Sequence, residues 1–168
     1  LVDRCVVFTI ETLNTVNDKT IEALQTSSVT TLVKTLQMIQ LQKTIFAVGM
    51  FSIFEAILQE GLNCKNGFDE AKKILDDEGE HDINLQFDNL ILAINVLKHG
   101  QGRSYDALVA NAKSLPFKIK LPNELFFCEG DVSEVSNLVQ VDDAFVELCG
   151  DIIHQVTIVI QRVHPEFI

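Results

Sequence analysis

Tryptophan is absent from these 168 residues, tyrosine occurs once and proline three times, so the aromatic mass rests on eleven phenylalanines. The prolines are Pro116, Pro122 and Pro165, and nothing before residue 116 is forced to break a helix. Four cysteines, Cys5, Cys64, Cys128 and Cys149, are scattered without a CxxC pair. A disulfide framework is out of place in a chain this long and apolar, and a zinc site wants closer ligand pairs, so the expectation is reduced, partly buried thiols. Basic residues are scarce, 13 against 24 acidic for a formal net charge of −11, which excludes a generic basic nucleic-acid coat protein. The longest apolar run, Ile45 to Phe54, is about half the length a bilayer span needs and ends at Glu55. No signal peptide is visible in a chain that starts at Leu1, and the expectation is a soluble, cytoplasmic protein.

What is present is 47% hydrophobic residue, enough to fill the core of one domain over 1–168 and too much for intrinsic disorder. The spacing of apolar positions predicts an all-α bundle of five or six helices. A first helix runs from Val2 to about Gln25, and Ser27 and Ser28 offer N-cap oxygens to a second. In that second helix Val29, Leu32, Leu36, Ile39, Lys43, Phe46, Met50, Ile53 and Ile57 recur at alternating steps of 3 and 4. From Thr44 onward it is apolar on nearly every side, as for a helix enclosed by its neighbours, with Gly49 allowing close packing. A short helix follows from Phe68 to about Asp77, then one from about Ile83 to His99, stopped by Gly100 and Gly102. Ser104 offers a cap for a helix to about Leu115. Residues 116–140 read as irregular, with a small hairpin near Phe117–Leu121, before Asp142 and Asp143 open a last helix that ends ahead of Pro165.

Chemistry concentrates at the end of the fourth helix, in Asn95-Val96-Leu97-Lys98-His99-Gly100. Asn95 and His99 are one helical turn apart and share a face, and Asp88 falls on the same stripe. Residues 98–120 hold Lys98, Arg103, Lys113, Lys118 and Lys120 against Asp106 alone, a net of +4 beside −15 in the remainder. A local anion-attracting patch therefore survives in an acidic protein. Glu55, set among Phe51-Ser52-Ile53-Phe54 and Ala56-Ile57-Leu58, needs a partner if buried, and a cation from Lys98 to Arg103 is a candidate. His81 lies in a run of acids with no recognised calcium or zinc spacing, and His154 reads as a partly buried histidine of the last helix. Gly100-Gln101-Gly102 lacks the setting of a dinucleotide loop, and no GxSxG precedes Ser104.

The Asn95-to-Gly100 run at the end of an apolar helix, preceded by a long helix carrying Phe51-Ser-Ile-Phe-Glu55, resembles the HEPN superfamily, mainly over residues 45–110. Those domains are all-α and commonly dimeric, and many are metal-independent ribonucleases of toxin–antitoxin and other bacterial defence systems. The resemblance implies His99 as acid/base, Asn95 orienting it, Lys98 or Arg103 on phosphate, Glu55 and Asp88 in support, a homodimer, and neither metal nor cofactor. It departs from the family motif at Ile94, which stands where the active motif has an arginine that stabilises the anionic phosphorane. Two further readings stand beside it. One is a non-catalytic helical module that binds a protein partner or a small anionic ligand. The other is a small-molecule enzyme with a pocket around Glu55.

Overall fold

The computed structural model describes residues 2–27 and 29–167, and six α-helices account for most of them. They are α1 (Val2–Thr26), α2 (Thr30–Gly61), α3 (Gly67–Asp77), α4 (His81–His99), α5 (Arg103–Ala110) and α6 (Asp143–Val163), with a 3₁₀ turn at Ala112–Ser114. The expected all-α bundle is observed. Its boundaries follow local chemistry: the Asn66 and Asp142 side chains accept the Asp69 and Phe145 amides and start α3 and α6. Gly100, at φ 76°, ends α4 with its amide on the Val96 carbonyl.

Three local expectations need correction. Val29 occupies the N-cap of α2 without a side-chain hydrogen bond, and Ser28 lies outside the described residues. Gly102 precedes α5, so Ser104 sits inside its first turn, and the helix stops at Ala110 because the chain tightens into the 3₁₀ turn. The hairpin reduces to a single antiparallel bridge between Ile119 and Val139.

α6 is the central element, packed against α1, α2, α3 and α4. Phe145, Val146, Cys149, Ile152, Ile153, Val156, Val159 and Ile160 are all buried on one broad face, while Glu147, Asp151, His154, Gln155 and Ile158 are exposed on the other. Gly150 lets α1 approach, since a Cβ there would lie 2.9 Å from Val6 Cγ2. Burial pushes the Cys149 thiol far above its ordinary range. Phe51, Phe68 and Phe87, joined by Phe54, form an aromatic cluster between α2, α3 and α4 with centroids 5.5–6.2 Å apart.

Only one side of α2 is enclosed. Ile39, Thr44, Ala47, Phe51, Phe54 and Leu58 are buried, whereas Met38, Leu41, Ile45, Ile53 and Ile57 are exposed. The expectation that its second half is surrounded is therefore wrong, and a Cβ on Gly49 would meet nothing within 4 Å. By length and composition α2 could cross a membrane, alone among the helices of the described residues.

The irregular segment between Ser114 and Asp142 is organised around one carboxylate. Glu134 lies 2.6 Å from Lys120 Nζ and accepts the amides of Phe127 and Cys128. Lys120 also stands 4.7 Å over the Phe127 ring, and its carbonyl accepts the Tyr105 hydroxyl at 2.8 Å. Lys120 thus leaves the basic patch: it is 4% exposed and neutralised inside the fold. Burial on its own raises the Glu134 carboxyl, but the Lys120 hydrogen bond, the two amides and the Lys120 charge outweigh it and hold the group below the usual range.

Replacing Glu134 by Gln leaves the Lys120 ammonium buried without a counter-charge, a loss of about 3 kcal/mol in urea unfolding. Because the folded-state carboxyl titrates lower than the unfolded one, its contribution is complete above the ordinary carboxylate range and fades as pH falls through the lowered value. Wild type and E134Q therefore converge in stability at acid pH, and a gap independent of pH contradicts the assignment.

Candidate functional site

A groove of ≈ 380 Å³ opens where α2, α3 and α4 diverge from the phenylalanine cluster. α2 supplies Phe51, Ser52 and Glu55. The start of α3 supplies Asn66, Phe68, Asp69 and Lys72, and α4 supplies Ile91, Ile94, Asn95 and Lys98. The α4 residues follow from helical spacing: 91, 95 and 98 lie one turn apart along one face, with Ile94 beside them. Phe51 and Ile94 are buried beneath it, and its accessible lining is mostly amides and charges of both signs.

α3 is held tightly to the wall. A Cβ on Gly67 would meet Leu58 Cβ at 2.7 Å and the Glu55 carbonyl at 2.8 Å, so only glycine lets α3 begin this close to α2. Lys72 bridges Asp88 of α4, at 3.0 Å, and Asp69, at 3.7 Å. Burial works against its charged form, but the hydrogen bonds and charges of the two aspartates prevail and raise Lys72 above its ordinary range. Lys72 is thus already neutralised, and no ion pair involves Lys98 or Glu55 among the described residues.

The residues singled out from the sequence divide into two groups. Glu55, Asn95 and Lys98 line one groove, and Asp88 joins its edge through Lys72. His99 and Arg103 do not line it: His99 is exposed in the last turn of α4, and Arg103 is exposed at the start of α5. Ile94 is 4% exposed and forms part of the groove wall. Asn66, Asp69, Lys72 and Ser52 were not singled out. Asp69 and Lys72 are three residues apart on α3, a visible pair, but only the tertiary packing brings them to α4.

Other constellations resolve without a site. A second cavity, ≈ 250 Å³, lies between α1, α2 and residues 127–142. Several of its polar groups are already committed: Lys43 pairs with Asp143, Asn137 donates to Thr44, and Gln40 accepts the Val135 amide. His81 is exposed, 3.5 Å from Asp76, and His154 is exposed, 3.7 Å from Asp3, rather than partly buried. Among the described residues no group of three His, Cys, Asp or Glu is placed to hold a metal ion. Comparison of the chain with protein-family models, with curated proteins and with solved structures gave no match.

Substituting Gly67 by Ala forces α3 off α2 at the groove. The expected cost is about 2 kcal/mol, a fall in melting temperature of roughly 4–8 °C by calorimetry. An unchanged melting temperature contradicts the close approach.

Proposed function

We propose that this chain is a non-catalytic helical interaction module whose α2–α3–α4 groove takes a small ligand through an anionic group. The observation that carries this reading is that Glu55, Asn95 and Lys98 line one groove while His99 stays outside it. Lys98 is the groove cation without an ion pair among the described residues, and the Asn95 amide lies one turn before it to donate a hydrogen bond. Glu55 on the same rim opposes a second negative charge, which selects against a polyphosphate backbone and favours a compact anion bearing a donor group. The net charge of −11 acts in the same direction at long range.

The second reading is a HEPN-like, metal-independent ribonuclease of a bacterial defence or toxin–antitoxin system, with His99 as acid/base and Asn95 orienting it. It is favoured by the Asn95–Lys98–His99 order at the helix end. It lacks the motif arginine at Ile94 and has His99 outside the groove lining. Purified protein incubated with total RNA without added metal decides it: 2′,3′-cyclic phosphate ends that disappear in His99→Ala establish the nuclease, and intact RNA removes it.

For the module reading, titration with inorganic phosphate followed by amide chemical shifts is expected to move Asn95 and Lys98. Lys98→Ala should weaken binding about tenfold, the loss of one charge-assisted hydrogen bond. Glu55→Gln should tighten it by removing a repelling charge. Unchanged affinity in both variants contradicts the groove assignment.

A further inference from the structure

The bridge between Ile119 and Val139 leaves one edge of its extended segment open. Lys120 donates to the Leu138 carbonyl at 2.9 Å and Gln140 to the Lys118 carbonyl at 3.0 Å, so Ile119 and Val139 are the pair that exchanges no bond. The Ile119 amide and carbonyl therefore point away from Val139, toward the opposite edge. Neither has a hydrogen-bond partner among the described residues, although Ile119 is only 8% exposed. Peptide groups this poorly solvated call for a partner. Beyond them the edge is closed: the Leu121 amide donates to the Glu124 carboxylate at 2.8 Å, and the Leu121 carbonyl accepts the Glu124 amide.

A groove of ≈ 490 Å³ runs along this segment and shares no residue with the α2–α3–α4 groove. Leu115, Phe117, Leu121 and Phe126 line it, with Leu121 and Phe126 exposed, and Lys113 and Lys118 complete it. The Phe117 ring packs on Phe145 at 5.3 Å and Ile119 is buried, so the alternation of an extended chain turns Lys118 outward. Both lysines are exposed and neither has an ion pair among the described residues. Glu124, the one acid of the lining, is already held by the Leu121 amide.

We infer that this edge and groove take an extended, acidic segment of a partner protein, which pairs with the Ile119 amide and carbonyl as an added strand. A helix bonds its own amides and carbonyls and leaves the Ile119 pair unmet. A fatty acid suits the apolar walls and the lysines but brings no backbone donor and acceptor. A second copy of the same edge would set Lys118 against Lys118, and a lysine beside an open edge deters such self-pairing. The same charge selects aspartate or glutamate next to the pairing residue, with an apolar side chain between Leu115 and Phe126. The chain's net charge of −11 acts only weakly here, since at physiological salt charges more than about 8 Å apart are largely screened.

Short fluorescent peptides alternating glutamate with valine, leucine or phenylalanine serve as probes, read by anisotropy against the full chain. At least one is expected to bind, and its counterpart with lysine in place of glutamate is not. N-methylation of the central peptide amides keeps every side chain but removes the strand donors, and should weaken binding at least tenfold. Lys113→Glu combined with Lys118→Glu should do the same while circular dichroism and the urea midpoint stay unchanged. The Ile119 amide proton should shift downfield on binding and exchange more slowly with deuterium. Lys98→Ala should leave peptide binding intact, and the double variant should leave phosphate binding at the α2–α3–α4 groove intact. The inference is overturned if no acidic peptide binds at millimolar concentration, if laurate binds where the peptides do not, or if binding is indifferent to N-methylation or to the charge reversal.

Discussion

The carboxylate of Glu134 is the constraint on which the rest of the arrangement depends. Between the 3₁₀ turn and α6 the chain crosses a long stretch with a single bridge, Ile119 to Val139, so most of its backbone amides must find partners outside a helix or ladder. Glu134 takes the Phe127 and Cys128 amides and the Lys120 ammonium at once. The Tyr105 hydroxyl ties the same residue, Lys120, to α5. Gln40 and Thr44 then anchor Val135 and Asn137 to α2. With the segment clasped at both ends, Asp142 can start α6 in the middle of the bundle, and the core assembles on that helix.

α2 shows how a single helix serves two environments. Its inward side meets α6 and the phenylalanine cluster, which supplies the packing energy of that face. Its Glu55 and Ser52 reach the groove at one edge, and its outward side remains apolar. A helix apolar all round is usually enclosed all round. Here one flank is left over, so the groove and the exposed apolar residues lie on different sides of the same element.

Much of the fold is legible in the sequence because its signals are local. Asp142 ahead of a periodic run, Gly100 after Lys98-His99, and Pro165 beyond Val163 each act within one helical turn, and the helices end where these residues place them. What the sequence did not reveal depends on partners far along the chain. Lys120 reads as a surface cation until Glu134 closes on it. The inward side of α2 is set by the helices it packs against, α6 among them more than eighty residues away, so periodicity alone selects it only in part: Ile39 is buried and Phe46 and Met50 pack against the core, while Val29, Ile53 and Ile57 emerge into solvent. Glu55 and Asn95 stand out in the sequence as polar residues in apolar helices, and Lys98 as the start of the basic stretch; that the three line one groove follows from tertiary packing. Lys72 gave no such interruption in the mixed α3, and Asp88 and His99 share a stripe with Asn95 but diverge once α3 covers only part of it.

The depth of Cys149 gives the molecule an internal clock. Cys5 and Cys128 are exposed, while Cys149 is sealed in α6 with its thiol held protonated by burial. A thiol reagent in solution therefore meets the outer cysteines at once and reaches Cys149 only when the central helix itself comes away from its neighbours. The slow phase of labelling reports the opening of the whole bundle and is indifferent to what happens in the outer loops.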